Sequence, residues 1–386
     1  MRILHTSDWH IGKRLGKYDR LEEQAEVLDE IITLCESEKV ELVLIAGDIF
    51  DTYTPSAEAE ELFYKKVKRL AGENRSVLVI SGNHDDGVRL SATAPLASDS
   101  GVYIVGNSRA PLPIMSDRKV KPIVSGKGYA IFENDRKERA FVSMLPYPNE
   151  ARFKEEKSEL SYLEQMKKWI AECEEGREVG VPSIFMAHIF VLGGIVSESE
   201  REIDLGGARA FPCEELPNSD YIALGHLHKR QKMGKAHCYY SGSPLQYSFD
   251  EGAEKGVKVF DLTNNGVENL RDLPLTRRKA LVRLKATSAE TALGLLENYP
   301  DALVEMTLQL TAPLTSAESA ELAKAKNLVS LNAEIRQDGD FEFVSRKGLS
   351  NEKLFDEFYR SQYGVEPDSE LKELFLTVMA ELEETN

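Results

Sequence analysis

Thiol chemistry has little to work with in this chain. Its four cysteines, Cys35, Cys173, Cys213 and Cys238, are scattered and form no CxxC pair. That argues against a structural zinc–thiolate site and fits a reduced, cytoplasmic setting. No apolar run reaches the roughly 18 residues of a transmembrane helix, so no membrane span is expected. A strand-like run already begins at residue 2, which leaves no room for a signal peptide. Basic residues are also short: 48 Lys and Arg against 65 Asp and Glu give a net charge of −17. A surface that coats nucleic acid broadly is thereby disfavoured, though not an enzyme whose metals meet the phosphate. There is no G-x-x-x-x-G-K-[ST] loop, so any ATP dependence must come from a partner. Internal repeats and low-complexity segments are missing as well. Histidine is scarce, with seven in 386 residues.

Six of those seven histidines sit in five short stretches of one design, an apolar run that breaks into Asp, Asn and His, and five of the six fall in the polar breaks. The stretches read R-I-L-H-T-S-D-W-H over 2–10, L-V-L-I-A-G-D over 42–48, V-L-V-I-S-G-N-H-D over 77–85, I-F-M-A-H over 184–188 and Y-I-A-L-G-H-L-H over 221–228. The order of elements is α/β. Strand-like runs at 2–7, 42–46, 77–81, 102–105, 141–144, 183–187 and 221–224 alternate with helical stretches at 21–36, 57–70 and 159–173. Runs such as Val43-Leu44-Ile45 are apolar without alternation, as strands covered on both faces are. Ligands in such sheets bind beyond the carboxyl ends of the strands, where all five clusters lie.

From about residue 240 the texture changes. Y-S-G-S-P-L-Q-Y-S-F-D-E from Tyr240 is a turn-rich connector, Gly256–Asp261 reads as an edge strand, and Leu273–Lys279 as a linker. Beyond it, strands at 280–284, 303–310 and 341–344 with a helix at 316–326 suggest a small α+β module. Leu371, Leu374, Phe375, Val378, Met379 and Leu382 then form a helical stripe. A shorter one holds Leu354, Phe355, Phe358 and Tyr359, and Gly364 and Pro367 between them suggest a helical hairpin. The expected domains are 1–276, 277–349 and 350–386.

The clusters carry metal chemistry. Two divalent cations about 3.5–4 Å apart need a bridging carboxylate and about three further ligands each. Asp8 and His10 flank one residue and can point the same way from a strand end, as can His226 and His228. Asp48 follows Gly47, where a missing side chain admits metals, and is the natural bridge. Asn83 offers a carboxamide oxygen and His188 an imidazole. Mixed oxygen and nitrogen donors suit Mn²⁺, Fe²⁺ or Zn²⁺, with water activated for in-line attack on phosphorus. A lone histidine at a strand end is more often structural, and His5 and His237 are read so. The five clusters together are not.

Their order, DxH, GDxxD, GNHD, a lone His and GHxH, resembles the calcineurin-like metallophosphoesterases. That resemblance implies a two-layered β-sandwich flanked by helices, around a dinuclear centre. One metal would take Asp8, His10, Asp48 and His228, the other Asp48, Asn83, His188 and His226. His84 would face the scissile phosphate and Asp85 would orient it. The flanking residues are similar to the SbcD family of bacterial nuclease subunits, over essentially the whole chain. This implies two Mn²⁺ per subunit (Mg²⁺, Fe²⁺ or Zn²⁺ being alternatives) and a homodimer working on DNA ends with an SbcC-type SMC ATPase, as a heterotetramer. The implied activities are a 3′-to-5′ exonuclease on duplexes and an endonuclease on hairpins and single strands. Relatives often carry His where this chain has Asp51, and no direct catalytic part is assigned to it.

Lys13, Arg14, Lys17 and Arg20, and further on Arg277, Arg278 and Lys279, could meet DNA phosphates or simply be solvated. The acidic tail, through Phe355, Phe358, Leu371, Leu374, Phe375, Val378 and Met379, is expected to dock on a partner helix. Two other functions compete. A phosphatase or phosphodiesterase acting on small molecules or phosphoproteins could use the same metals, but the extra module and tail disfavour it. A non-catalytic scaffold is disfavoured by the intact ligand positions.

Overall fold

Strands covered on two faces need layers on both sides, and the fold supplies them. The computed structural model describes residues 1–106, 110–114, 117–148, 160–200 and 210–335, and beyond these Phe355, Asp356, Tyr359, Pro367, Leu371, Lys372 and Phe375. They belong to two compact units, Met1–Ile335 and Arg336–Asn386.

In the first unit, β1 (Arg2–Thr6), β2 (Leu42–Ala46), β3 (Ser76–Ile80) and β4 (Val102–Val105) run parallel. Strands β12 (Gly256–Thr263) and β13 (Gly266–Pro274) continue that sheet antiparallel beyond β1. A second sheet holds β5 (Lys121–Gly126), β6 (Tyr129–Glu133), β7 (Arg139–Leu145), β8 (Ser183–His188), β9 (Tyr221–Gly225), β10 (Gln231–Lys232) and β11 (Cys238–Tyr240). Its order is β10-β11-β9-β8-β7-β6-β5, with β7, β8, β9 and β11 parallel.

The period-two alternation of each strand assigns its faces. Leu42, Leu44, Ala46, Leu78 and Ile80 face Val142, Met144, Ile184, Met186 and Ala223 of the second sheet. The alternate residues Val43, Ile45, Val77 and Val79 pack on Val27, Leu28, Ile31, Phe63 and Val67 of α1 (Leu21–Ser37) and α2 (Ala57–Ala71). On the outer face of the second sheet, Phe185, Ala187, Ile222 and Leu224 meet Met166, Trp169 and Ile170 of α5 (Tyr162–Glu174). Helix α5 starts at a capping box, in which Ser161 and Glu164 satisfy each other's backbone amides. Short helices α3 (Gly87–Ser91) and α4 (Ala94–Asp99) lead from the third cluster into β4. The expected sandwich flanked by helices is what forms.

After residue 250 the fold departs from the expected one. Gly256–Asp261 is not an edge: β12 is hydrogen-bonded to both β1 and β13. The edge is β13, whose mostly exposed, polar residues hid it. Leu273 and Pro274, read as linker, end that strand. The small module is a parallel three-stranded sheet of β14 (Ala280–Ala286), β15 (Ala302–Leu310) and β16 (Leu328–Ile335). Helices α6 (Ala289–Glu297) and α7 (Ser316–Lys324) form the crossovers, around a core of Ala292, Leu296, Val304, Met306 and Leu322. The strand expected at 341–344 lies outside the described residues.

In the second unit, Phe355, Asp356, Tyr359, Leu371, Lys372 and Phe375 are helical. The Phe355 and Phe375 rings stack at 4.2 Å, and Lys372 pairs with Asp356 at 2.8 Å. Two residues of the expected docking stripes thus meet each other. Phe358, Leu374, Val378 and Met379 lie outside the described residues.

Candidate metal centre

All seven proposed ligands, with His84, gather where the carboxyl ends of β1, β2, β3, β8 and β9 meet, and all are buried. The backbone is bent to bring them there. Four of the candidate ligands have positive φ: Asp8 (54°), His10 (44°), Asp48 (51°) and His226 (113°). Such conformations cost about 1–3 kcal/mol each and persist only where the surroundings enforce them. Here Asp8 N donates to Gly47 O and His10 N to Asp48 O, each at 3.0 Å. His226 N donates to Asp8 Oδ1 at 2.9 Å, joining the two sheets. Gly47 has φ 90°, and a Cβ there would fall 2.2 Å from His188 Nδ1.

The ring nitrogens show what the cluster is built to hold. His188 Nδ1 donates to Ala46 O at 2.8 Å, which in the neutral ring leaves its Nε2 as a lone pair. That Nε2 faces two other acceptors, Asn83 Oδ1 at 2.9 Å and Asp48 Oδ2 at 3.4 Å. His10 Nδ1 faces Asp51 Oδ1 at 3.3 Å, and its Nε2 lies 2.9 Å from His228 Nε2. His226 Nδ1 meets the same Asn83 oxygen at 3.0 Å, while its buried Nε2 has no hydrogen-bond partner. Lone pairs packed against lone pairs repel unless a cation lies among them. The residues therefore fit a pair of divalent metals. Donor atoms of Asp8, His10 and His228, and those of Asp8, Asp48 and His188, lie within 4.8 Å of one another.

Protonation reflects the same crowding. Burial lifts the Asp8 carboxyl to about 6. Burial would also raise Asp48, yet the imidazoles of His188 and His84 hold it well below the carboxylate range. Burial would depress His188, but the Asp48 charge beside it lifts it to about 9, so a cation that uses its Nε2 must displace a proton held there. Burial pushes His226 far below the ordinary imidazole value. One cluster thus drives like groups in opposite directions, as functional sites do.

Donor atoms of His84, His10 and Asp48 also lie within 4.8 Å of one another. His84 Nδ1 donates to Asp51 O at 2.7 Å, and its backbone N–H donates to Asp48 Oδ1 at 2.9 Å. Asp85 acts on it differently from the expectation. Its carboxylate accepts from the backbone amides of Gly82, Ile49 and Phe50 at 2.8–3.1 Å. It ties the third cluster to the second, while Asp51 O holds the imidazole. Asp51 is therefore a residue the sequence reading undervalued: it faces His10, holds His84 and takes Lys13 Nζ at 2.8 Å. Ser199, Glu200 and Glu251, which surround His228, were missed altogether. Glu251 closes the Tyr240–Glu251 stretch noted in the sequence; nothing in the sequence marked Ser199.

The basic candidates separate. Arg14 is exposed, but Lys17 Nζ donates to Ala323 O at 3.1 Å. Arg20 is buried, its guanidinium on Glu23 and on Gln246 O, which removes it from any phosphate-facing set. Arg278 pairs with Glu26 and Glu30, both at 3.1 Å, and Lys279 lies over the Tyr18 ring. His5 is buried against Tyr221 Oη at 3.0 Å, in the core as expected.

The family model for calcineurin-like phosphoesterases matches residues 1–230. The SbcD component of the SbcCD nuclease from Bacillus subtilis (strain 168) is 34% identical, covering 100% of this chain and 99% of that protein. The chain belongs to the SbcD family of calcineurin-like phosphoesterases. The SbcD of Rhodobacter capsulatus is 33% identical over 74% of this chain and 72% of its own length. That of Escherichia coli K12 is 27% identical over 82% and 79%. As a member of this family, the chain is a metal-dependent phosphodiesterase with a dinuclear centre. Among the described residues no helix is long and apolar enough to cross a membrane.

Proposed function

We propose that this chain is a Mn²⁺-dependent DNA nuclease, acting on DNA ends as the nuclease subunit of an SbcCD-type complex. The reading includes 3′-to-5′ exonuclease action on duplexes, endonuclease action on hairpins and single strands, and a role in DNA repair and recombination in the cytoplasm. The working form is a homodimer joined to an SbcC-type SMC ATPase. Residues 277–349 act as a capping domain and 350–386 as the docking tail. The observation that carries this is the set of seven buried donors converging on one point, in a chain alike over its full length to a nuclease subunit.

The residues divide the work. Asp8, His10, Asp48 and His228 would hold one cation, and Asp48, Asn83, His188 and His226 the other. When bound, the two cations supply positive charge for the phosphoryl oxygens and acidify the attacking water. Imidazole-rich donor sets favour Mn²⁺ over the harder Mg²⁺. His84 has its Nδ1 proton committed to Asp51 O, so proton exchange with the leaving 3′ or 5′ oxygen falls to Nε2. Asp85 keeps that ring in place through the loop backbone. Arg14 and Lys13 stand near the first cluster to meet the nucleic-acid backbone. The deciding assay is degradation of end-labelled duplex DNA by the full chain in Mn²⁺, with and without the ATPase. Turnover of nucleoside monophosphates or phosphoproteins, with none of DNA, would overturn the reading in favour of a phosphatase.

A further inference from the structure

His228 is gripped at both its backbone and its ring. Its backbone N–H donates to Glu200 Oε1 at 2.8 Å, and its carbonyl accepts from Lys255 Nζ at 3.1 Å. Its ring Nδ1 lies 2.6 Å from Ser199 Oγ. Ser199 Oγ in turn donates to Glu251 Oε1 at 2.6 Å. Glu251 is fully buried and is itself fixed by Lys255, by Ser248 Oγ at 3.1 Å and by Tyr247 N at 3.2 Å. None of these four gripping residues belongs to the strand-end clusters. They come from the loop at 197–200 and the connector that follows β11.

The direction of the hydrogen bonds decides the tautomer. A serine hydroxyl has one proton, and here it points to the Glu251 carboxylate. The oxygen can then only accept from His228, so the imidazole proton resides on Nδ1. Nε2 keeps its lone pair, and Nε2 is the atom that faces His10 across the centre. A carboxylate that fixes the far nitrogen of a metal-bound imidazole is a general device for orienting the ring and raising its basicity. Here a hydroxyl stands between the two, since Glu251 Oε1 itself is 3.4 Å from the ring.

We propose that Ser199, backed by Glu251, is a positioning residue for the metal centre: it fixes the proton of His228 on Nδ1 and so presents Nε2 as a ligand. This rests on the dinuclear reading above. Ser199 lies on a half-buried loop, so Ser199→Ala removes one hydroxyl and leaves the core alone.

The test is Mn²⁺ binding to the full-length chain by calorimetry and elemental analysis, with no substrate present. Ser199→Ala should keep one site at wild-type affinity and weaken the other by ~10–100-fold, and Ser199→Thr should restore it. The metal-free Ser199→Ala protein should unfold at the wild-type midpoint. In ¹⁵N-histidine spectra of metal-free protein at alkaline pH, His228 should be the Nδ1–H tautomer in wild type and a mixture in Ser199→Ala. Two sites of wild-type affinity in Ser199→Ala would overturn the proposal. So would a loss of binding that tracks a loss of metal-free stability and is not rescued by threonine. A wild-type chain that binds no Mn²⁺ would instead bring down the dinuclear reading itself.

Discussion

At the scale of single residues, ligation and proton transfer are separable although the side chains touch. Asp48 sits between His10 Nε2 at 3.5 Å and His188 Nε2 at 3.4 Å, so Asp48→Ala removes the acceptor shared by both halves of the centre. The expected outcome is loss of bound metal on elemental analysis of the purified variant. His84→Gln should retain two metals yet lose cleavage by ~10²-fold or more, the scale of a removed general acid or charge stabiliser. A metal-free His84→Gln protein would make His84 a ligand. Gly82 gives a third case. A Cβ there would fall 2.0 Å from Asp48 Oδ1, so Gly82→Ala should weaken Mn²⁺ binding by ~10-fold or more with far-ultraviolet circular dichroism unchanged. The ligands were legible in the sequence because each ends an apolar run in a residue type that metals need. Ser199 was not, because it serves the centre only through contacts made across 29 residues of chain.

At the scale of elements, legibility followed burial. Strands β1, β2, β3, β8 and β9 are buried almost end to end and announce themselves as unbroken apolar runs. Strand β13 is mostly exposed, β10 has two residues, and α6 is a nine-residue helix, so each left a faint pattern. The direction of the strands in the three-stranded module was equally hidden, since parallel pairing depends on crossovers rather than on local composition. Helix α5 offers a direct check on the layer model. Trp169 is 4% exposed and packs with Met166 and Ile170 over the second sheet. Trp169→Ala should cost about 3–5 kcal/mol in denaturant unfolding. Its metal content should survive, because the helix lies on the sheet face away from the other layer. A variant of undiminished stability would mean that α5 is not part of that core.

At the scale of the whole molecule, the tail and the catalytic unit are expected to be functionally divisible. Deleting residues 350–386 should abolish co-purification with the ATPase and ATP-dependent duplex cleavage. Mn²⁺-dependent cleavage of single-stranded DNA should remain. The stacking of Phe355 on Phe375 sets the counter-case: a truncated chain that still binds the ATPase in full would mean that the stripes serve only the tail's own packing. The centre has a further consequence. Asp8, His10, Asp48 and Asn83 issue from one sheet, and His188, His226 and His228 from the other. Two cations there would rivet layers that otherwise adhere mainly through apolar contact. Ligand binding to the folded state adds about 2.7 kcal/mol at a hundredfold excess over Kd. Unfolding midpoints should therefore climb with Mn²⁺ concentration and fall on chelation, and a midpoint indifferent to Mn²⁺ would count against the rivet. The working lifetime of the folded chain then becomes a gauge of the metal supply around it.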